Sequence, residues 1–174
     1  MIYVLRHCKA TGQDFDAALT ADGIKSAQQL VPVLAKLNID HIYVSEMNRT
    51  YESIKPYLTK FQTPLTYDSR LNERILSDLP IDNWLTELKM SFSDFNYRIH
   101  NGETSLEAQQ RILEVFKSIP VNEHALIVTH GNIMSLLLNH FDKQFDFDEW
   151  KALKNPDLYA IDESSQIKHV TINS

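Results

Sequence analysis

Three short apolar runs, residues 2–6, 40–45 and 125–129, constrain the fold of this chain more than any other feature. Each is apolar on consecutive positions rather than on alternate ones, so each suits a strand covered on both faces, as in a parallel sheet. Between the first two, Ile24, Ala27, Leu30, Val31, Leu34 and Leu37 recur at helical spacing behind Thr20, a plausible N-cap. The unit is strand, helix, strand.

The pattern continues. A helix is expected from Met47 to Phe61, with Pro56 inside it as a candidate kink, then a short strand around Leu65 to Tyr67. From Leu71 to Asn101 the periodicity weakens. Leu79-Pro80 starts a helix carrying Trp84, Leu85 and Leu88, and the aromatic, polar stretch through Phe92, Phe95 and Tyr97 reads as a lid. A helical stripe from Glu103 to Ile119 ends at Pro120 and leads into the third apolar run. Gly131 to Phe141 is a short, very apolar helix, and Leu158 to Ile161 and Gln166 to Ile172 read as paired edge strands. The alternation predicts an α/β fold, a three-layer sandwich with a mostly parallel central sheet, helices on both faces and an antiparallel edge strand. A length of 174 residues with 43% hydrophobic content suits one domain spanning 1–174.

The formal charge of -6 argues against a nucleic-acid partner, because such proteins usually present a basic face to phosphate. No apolar stretch approaches the roughly 18 residues needed to cross a bilayer. A single cysteine, Cys8, and no signal-like segment before Ile2 point to a cytoplasmic chain without an internal disulfide. Nothing in the sequence specifies a stoichiometry.

In a doubly wound sheet, ligands bind beyond the carboxyl ends of the strands. Arg6 and His7 follow the first run, Ser45 to Arg49 the second, and His130 with Gly131 the third. Two arginines with two histidines suit a phosphoryl group: the guanidinium fork matches its oxygens, and a neutral imidazole can attack phosphorus. Gly131 opens a helix whose N–H groups could take another phosphate oxygen.

These residues resemble a known family. Leu5-Arg6-His7-Cys8 with Thr11 is similar to the Arg-His-Gly signature of the histidine phosphatase superfamily, the phosphoglycerate mutase-like family. Further segments match in order: Leu19 to Gly23 with Gln28, Ser45 to Arg49, Asp68 to Glu73, Gly102 to Ser105, and Val128 to Asn132. The resemblance implies that His7 is the nucleophile and becomes phosphohistidine. Arg6 and Arg49 would bind the phosphoryl group, His130 would donate to its oxygens, and Glu73 would be the general acid and then base. Thr11 and Gln13 sit where the family often places polar phosphate contacts. It implies no metal and no cofactor, and a small phosphorylated metabolite as substrate. Three departures stand out: Cys8 replaces the usual glycine, Lys9 stands where an acidic or amide residue is common, and Tyr51-Glu52-Ser53 replaces a Thr-Ala-containing stretch.

The expected activity is phosphomonoester hydrolysis. The alternatives are a phosphoglycerate-type mutase and a non-catalytic phosphate-binding regulatory member of the same fold. A metallohydrolase using His7, His130 and Glu73 lacks any His-Glu-x-x-His spacing. Cys8 reads as a packing residue rather than a nucleophile, because no arginine follows it at the spacing cysteine phosphatases use. His41, His124, His140 and His169 read as surface or packing residues, while His100 is a candidate for the pocket mouth. Substrate choice is assigned to the variable stretch, about residues 75–101.

Overall fold

The computed structural model describes residues 1–172. In chain order it contains β1 (Ile2–Arg6), α1 (Ala21–Ala35), β2 (His41–Val44), α2 (Asn48–Phe61), β3 (Leu65–Tyr67), a 3-10 turn at Ser69–Leu71, α3 (Trp84–Ser93), α4 (Ser105–Ser118), β4 (Ala125–Thr129), α5 (Gly131–Phe141), α6 (Phe147–Ala152), β5 (Asp157–Ile161) and β6 (Ile167–His169). The six strands form one sheet in the order β3-β2-β4-β1-β5-β6. The first four in that order are mutually parallel; β5 is antiparallel to β1, and β6 to β5.

The consecutive apolar runs are explained by covering on both faces. Val4, Ala125 and Ile127 pack into one core with Ile112, Ile133 and Leu137 of α4 and α5. Their neighbours Leu5, Leu126 and Val128 pack into the other, with Leu30 and Leu34 of α1 and Ile54 of α2. Side chains that alternate along a strand thus enter two different cores. β1 leads into α1 on one face, while its parallel neighbour β4 leads into α5 on the opposite face. Their connections diverge and leave a crevice at the carboxyl ends of both strands.

Local signals act where expected at several ends. Thr20 caps α1, its Oγ1 accepting the Gly23 N–H at 3.0 Å. Thr104 and Glu107 form a reciprocal capping box at α4. α2 runs through Pro56 as one helix, as α1 does through Pro32.

Several expectations require correction. The antiparallel pair β5-β6 lies at one edge of the sheet as expected, but β6 alone is the outermost strand there: β5 lies between β1 and β6 with Leu158 and Ile161 fully enclosed. Ile24, assigned to the apolar stripe of α1, is 53% exposed. The stretch after α3 does not form a lid as a whole. Phe92 belongs to α3 and is buried with Leu88, Ala108 and Leu136, so this aromatic cluster anchors the variable segment instead of covering the cleft. α6 went unread because its six residues present no repeat of an apolar stripe; Asp146 caps it by accepting the Asp148 N–H.

Candidate active site

His7 leaves the end of β1 with its N–H bonded to Thr129 O at 3.1 Å, which ties it to β4. Its ring is gripped at both nitrogens. Nδ1 lies 2.6 Å from Cys8 O, and Nε2 accepts from Arg49 Nε at 3.2 Å. A carbonyl can only accept and a guanidinium can only donate, so both contacts require the proton on Nδ1 and a lone pair on Nε2. Burial, reinforced by the Arg49 and Arg6 charges and opposed by the Cys8 carbonyl, lowers the His7 pKa from 6.5 to about 4. At neutral pH the imidazole is uncharged and Nε2 carries its lone pair.

α2 sets this loop through residues one turn apart. Arg49 is almost fully buried, and its Nη1 donates to Asp14 O at 3.1 Å and Gln13 O at 3.4 Å. Ser53 Oγ accepts the Cys8 N–H at 2.8 Å and donates to Arg49 O at 2.7 Å. The segment after Arg49 that departs from the family pattern therefore supports the backbone beside His7. Asn155 adds a third hold, its Nδ2 donating to His7 O at 3.1 Å.

His130 ends β4 with its ring centre 5.1 Å from that of His7, in an edge-on arrangement. Its Nε2 lies 2.8 Å from Ser45 Oγ, which also reaches Asn72 Oδ1 at 2.8 Å. Burial first, then the nearby His7 and arginine charges, holds its pKa well below 6.5. Among the described residues, three buried side-chain atoms have no hydrogen-bond partner: Arg6 Nε, His130 Nδ1 and Asn132 Oδ1. Arg6 and Asn132 line the crevice at the ends of β1 and β4, and His130 is the residue that links β4 to α5 beside them. Leaving such groups unpaired costs roughly 1–3 kcal/mol each, so the crevice is arranged for a polar ligand.

Glu73 stands opposite. Its Oε2 accepts from Asn132 N at 3.0 Å, and Oε1 accepts from Ile133 N at 3.0 Å and Arg74 N at 2.8 Å. It pairs with neither nearby arginine side chain: Arg70 goes to Asp68 and Glu114, and Arg74 to Glu103 O, Ser91 and Ser105. The α5 N–H groups expected to take a phosphate oxygen are thus partly occupied by Glu73. Gly131 serves another purpose, because a Cβ there would sit 2.8 Å from both Cζ and Nε of Arg6. Only glycine lets that guanidinium lie over the helix start. Arg6 Nη1 is anchored by Leu153 O at 3.1 Å.

Two cavities of about 520 and 450 Å³ share Gln13, Glu73, Arg74, Leu76 and Trp84, and form two lobes of one cleft. Arg49 lines the first lobe; Arg6 and Asn132 line the second. Residues 75–84 supply much of the wall. Gln13 is therefore at the site, while Thr11 sits on an exposed turn with its N–H bonded to Ala18 O and lines neither lobe. His100 lines a separate cavity with Pro80, Glu87 and Tyr97 rather than this mouth. Cys8 is buried in the core, where desolvation raises its thiol pKa to about 11.

Arg74, Ser53, Asn132 and Asn155 escaped the sequence reading. Only Asn132 had a signal, its place directly after His130-Gly131. No helix is long and apolar enough to cross a membrane among the described residues.

A family model described as the histidine phosphatase superfamily, branch 1, matches residues 2–163. The chain is 31% identical over 144 residues to a Schizosaccharomyces pombe protein named a probable phosphatase, covering 78% of this chain and 68% of that one. It is 28% identical over 159 residues to a protein of Shigella dysenteriae named a probable phosphoglycerate mutase, covering 79% and 73%. Among solved structures, YhfR of Bacillus stearothermophilus superposes with a TM-score of 0.73 at 25% identity, covering 97% and 94%.

Proposed function

Because the chain belongs to the histidine phosphatase superfamily, branch 1, we propose that it hydrolyses phosphate monoesters of small metabolites in two steps through a phosphohistidine on His7. The observation that carries this reading is the fixed tautomer of His7, which holds an Nε2 lone pair beside Arg49 and within a ring contact of His130.

In the first step Nε2 attacks phosphorus, the P–O ester bond breaks, and the departing oxygen takes a proton from the Glu73 carboxyl. Oε2 is the better proton site, since it accepts one N–H where Oε1 accepts two. The Nδ1–H contact to Cys8 O steadies the positive charge that the ring gains. Arg6 Nε is free to meet a phosphoryl oxygen, and Arg49 swings its donor from Nε2 to phosphate. Ser45 Oγ donates to Asn72 Oδ1, so His130 keeps its proton on Nε2, and its Nδ1 donates to a phosphoryl oxygen once the bound dianion draws a second proton onto the ring. In the second step Glu73 takes a proton from water, the hydroxide attacks phosphorus, and the P–N bond breaks to restore neutral His7. No step requires a metal. Residues 1–174 act as a single domain, with the wall from 75 to 84 contacting the organic part of the ester.

Phosphate release from p-nitrophenyl phosphate and from a panel of phosphorylated metabolites, with and without chelator, tests this. Turnover that persists in chelator is the expected result. A folded protein that releases nothing is a phosphate-binding module instead, and loss of turnover in chelator identifies a metallohydrolase. Interconversion of 3-phosphoglycerate faster than phosphate release identifies a mutase.

A further inference from the structure

We propose that the organic part of the substrate is an uncharged alcohol with an apolar, ring-bearing body, which Trp84 recognises at the cleft mouth. This deepens the hydrolase reading and rests on it.

The charge inventory of the cleft leads to this class. Arg6 and Arg49 suffice for one phosphoryl dianion. A second anionic group, such as the carboxylate of a phosphoglycerate or another phosphate, needs a further cation with free donors. Arg74 is the remaining cation in the lining of the two lobes. It is 5% exposed, and four of its five N–H donors are taken, by Glu103 O through Nε and Nη2 and by Ser91 and Ser105 through Nη1. Arg74 thus keeps a single Nη2–H for the far end of the substrate, short of the paired donors that a second carboxylate or phosphate would take.

What the far end meets is apolar. Ile75, Leu79 and Trp84 are 60%, 55% and 50% exposed, and Met47 and Ile81 complete the same wall. Large apolar side chains gathered at one cleft, adjoining cations and a carboxylate, mark a ligand surface more than a random exposure. Trp84 lines both lobes. Its ring meets Trp150 edge-on at 6.3 Å, and Trp150 in turn packs on Phe92 and Phe147. The indole is therefore backed by a partly buried aromatic cluster, so covering its outer face costs little ordering.

The test compares 2-phenylethyl phosphate, glycerol 3-phosphate and 3-phosphoglycerate. All three release a primary alkyl alcohol and need the same proton, so differences in kcat/KM report recognition of the body rather than leaving-group chemistry. The phenylethyl ester is expected to lead by at least about tenfold, with 3-phosphoglycerate last. Trp84→Ala should lower the ratio of phenylethyl to glycerol ester by about tenfold, mainly through KM, and Trp84→Phe should restore most of it. Because the ratio is taken within one variant, partial misfolding does not alter it. Equal or better turnover of either polar ester, or a ratio unmoved in Trp84→Ala, overturns the substrate class and leaves the hydrolase reading intact. No turnover of any ester, p-nitrophenyl phosphate included, overturns both.

Discussion

Replacing Gly131 with alanine places a methyl group against the guanidinium of Arg6. The new Cβ would lie 2.8 Å from Cζ, 2.8 Å from Nε and 2.9 Å from Nη2. Comfortable contacts are about 3.5–4.0 Å, so the guanidinium must retreat by about 1 Å. That retreat strains its bond to Leu153 O, at a cost of about 1–2 kcal/mol. Alanine in the first turn of α5 returns up to about 1 kcal/mol over glycine. The two effects nearly cancel, and stability should change by no more than about 1 kcal/mol. Catalysis should not be spared. Arg6 carries one of the unpaired donors facing the crevice, and a displacement near 1 Å in a positioning group can cost about 100-fold in rate. Gly131→Ala should therefore keep its Tm within a few degrees while kcat/KM for p-nitrophenyl phosphate falls by about 100-fold. A kcat/KM within about twofold of the parent refutes the placement of Arg6 in phosphoryl binding.

Three further outcomes follow from the same geometry. Glu73→Gln should slow alkyl esters by at least about tenfold more than p-nitrophenyl phosphate, since only poor leaving groups need the proton; equal losses on both remove Glu73 from the acid role. Because His7 is held neutral with its pKa lowered to about 4, the unfolded chain takes up a proton below pH 6.5 that the folded chain refuses until about pH 4. Stability present above pH 6.5 should thus decline by about 3 kcal/mol as pH falls through that window, and His7→Gln should flatten the slope in urea titrations. Cys8, buried with its thiol raised to about 11, should resist iodoacetamide at pH 7.5 in native protein and react after denaturation; rapid native labelling contradicts its role in the core.

The strand ends were legible because a covered strand must be apolar on consecutive positions, and the polar residue that interrupts it is then conspicuous. Arg6, His7, Arg49 and His130 were found that way, and the structure brings them together. Thr20 was legible because an N-cap acts on its own helix. What escaped the sequence depends on partners far along the chain. Glu73 caps a helix that begins nearly sixty residues later, Asn155 reaches His7 O from near the other end, and Ser53 becomes a support for Cys8 only once α2 lies beside β1. No local pattern encodes such pairings. Which strand of the β5-β6 pair lies outermost was not legible, because strand length and composition carry no information about which neighbour a strand chooses. Thr11 was carried in by resemblance alone, and the turn from Ala10 to Leu19 holds it away from both lobes of the cleft.

In the proposed mechanism Nε2 of His7 attacks phosphorus, and rapid quenching with a radioactive phosphate ester would trap the phosphohistidine. Label that is lost in acid, survives in base, maps to the peptide bearing His7, and is absent from His7→Ala is the expected result. Label on Cys8, or turnover by folded His7→Ala at the parent rate, would contradict it.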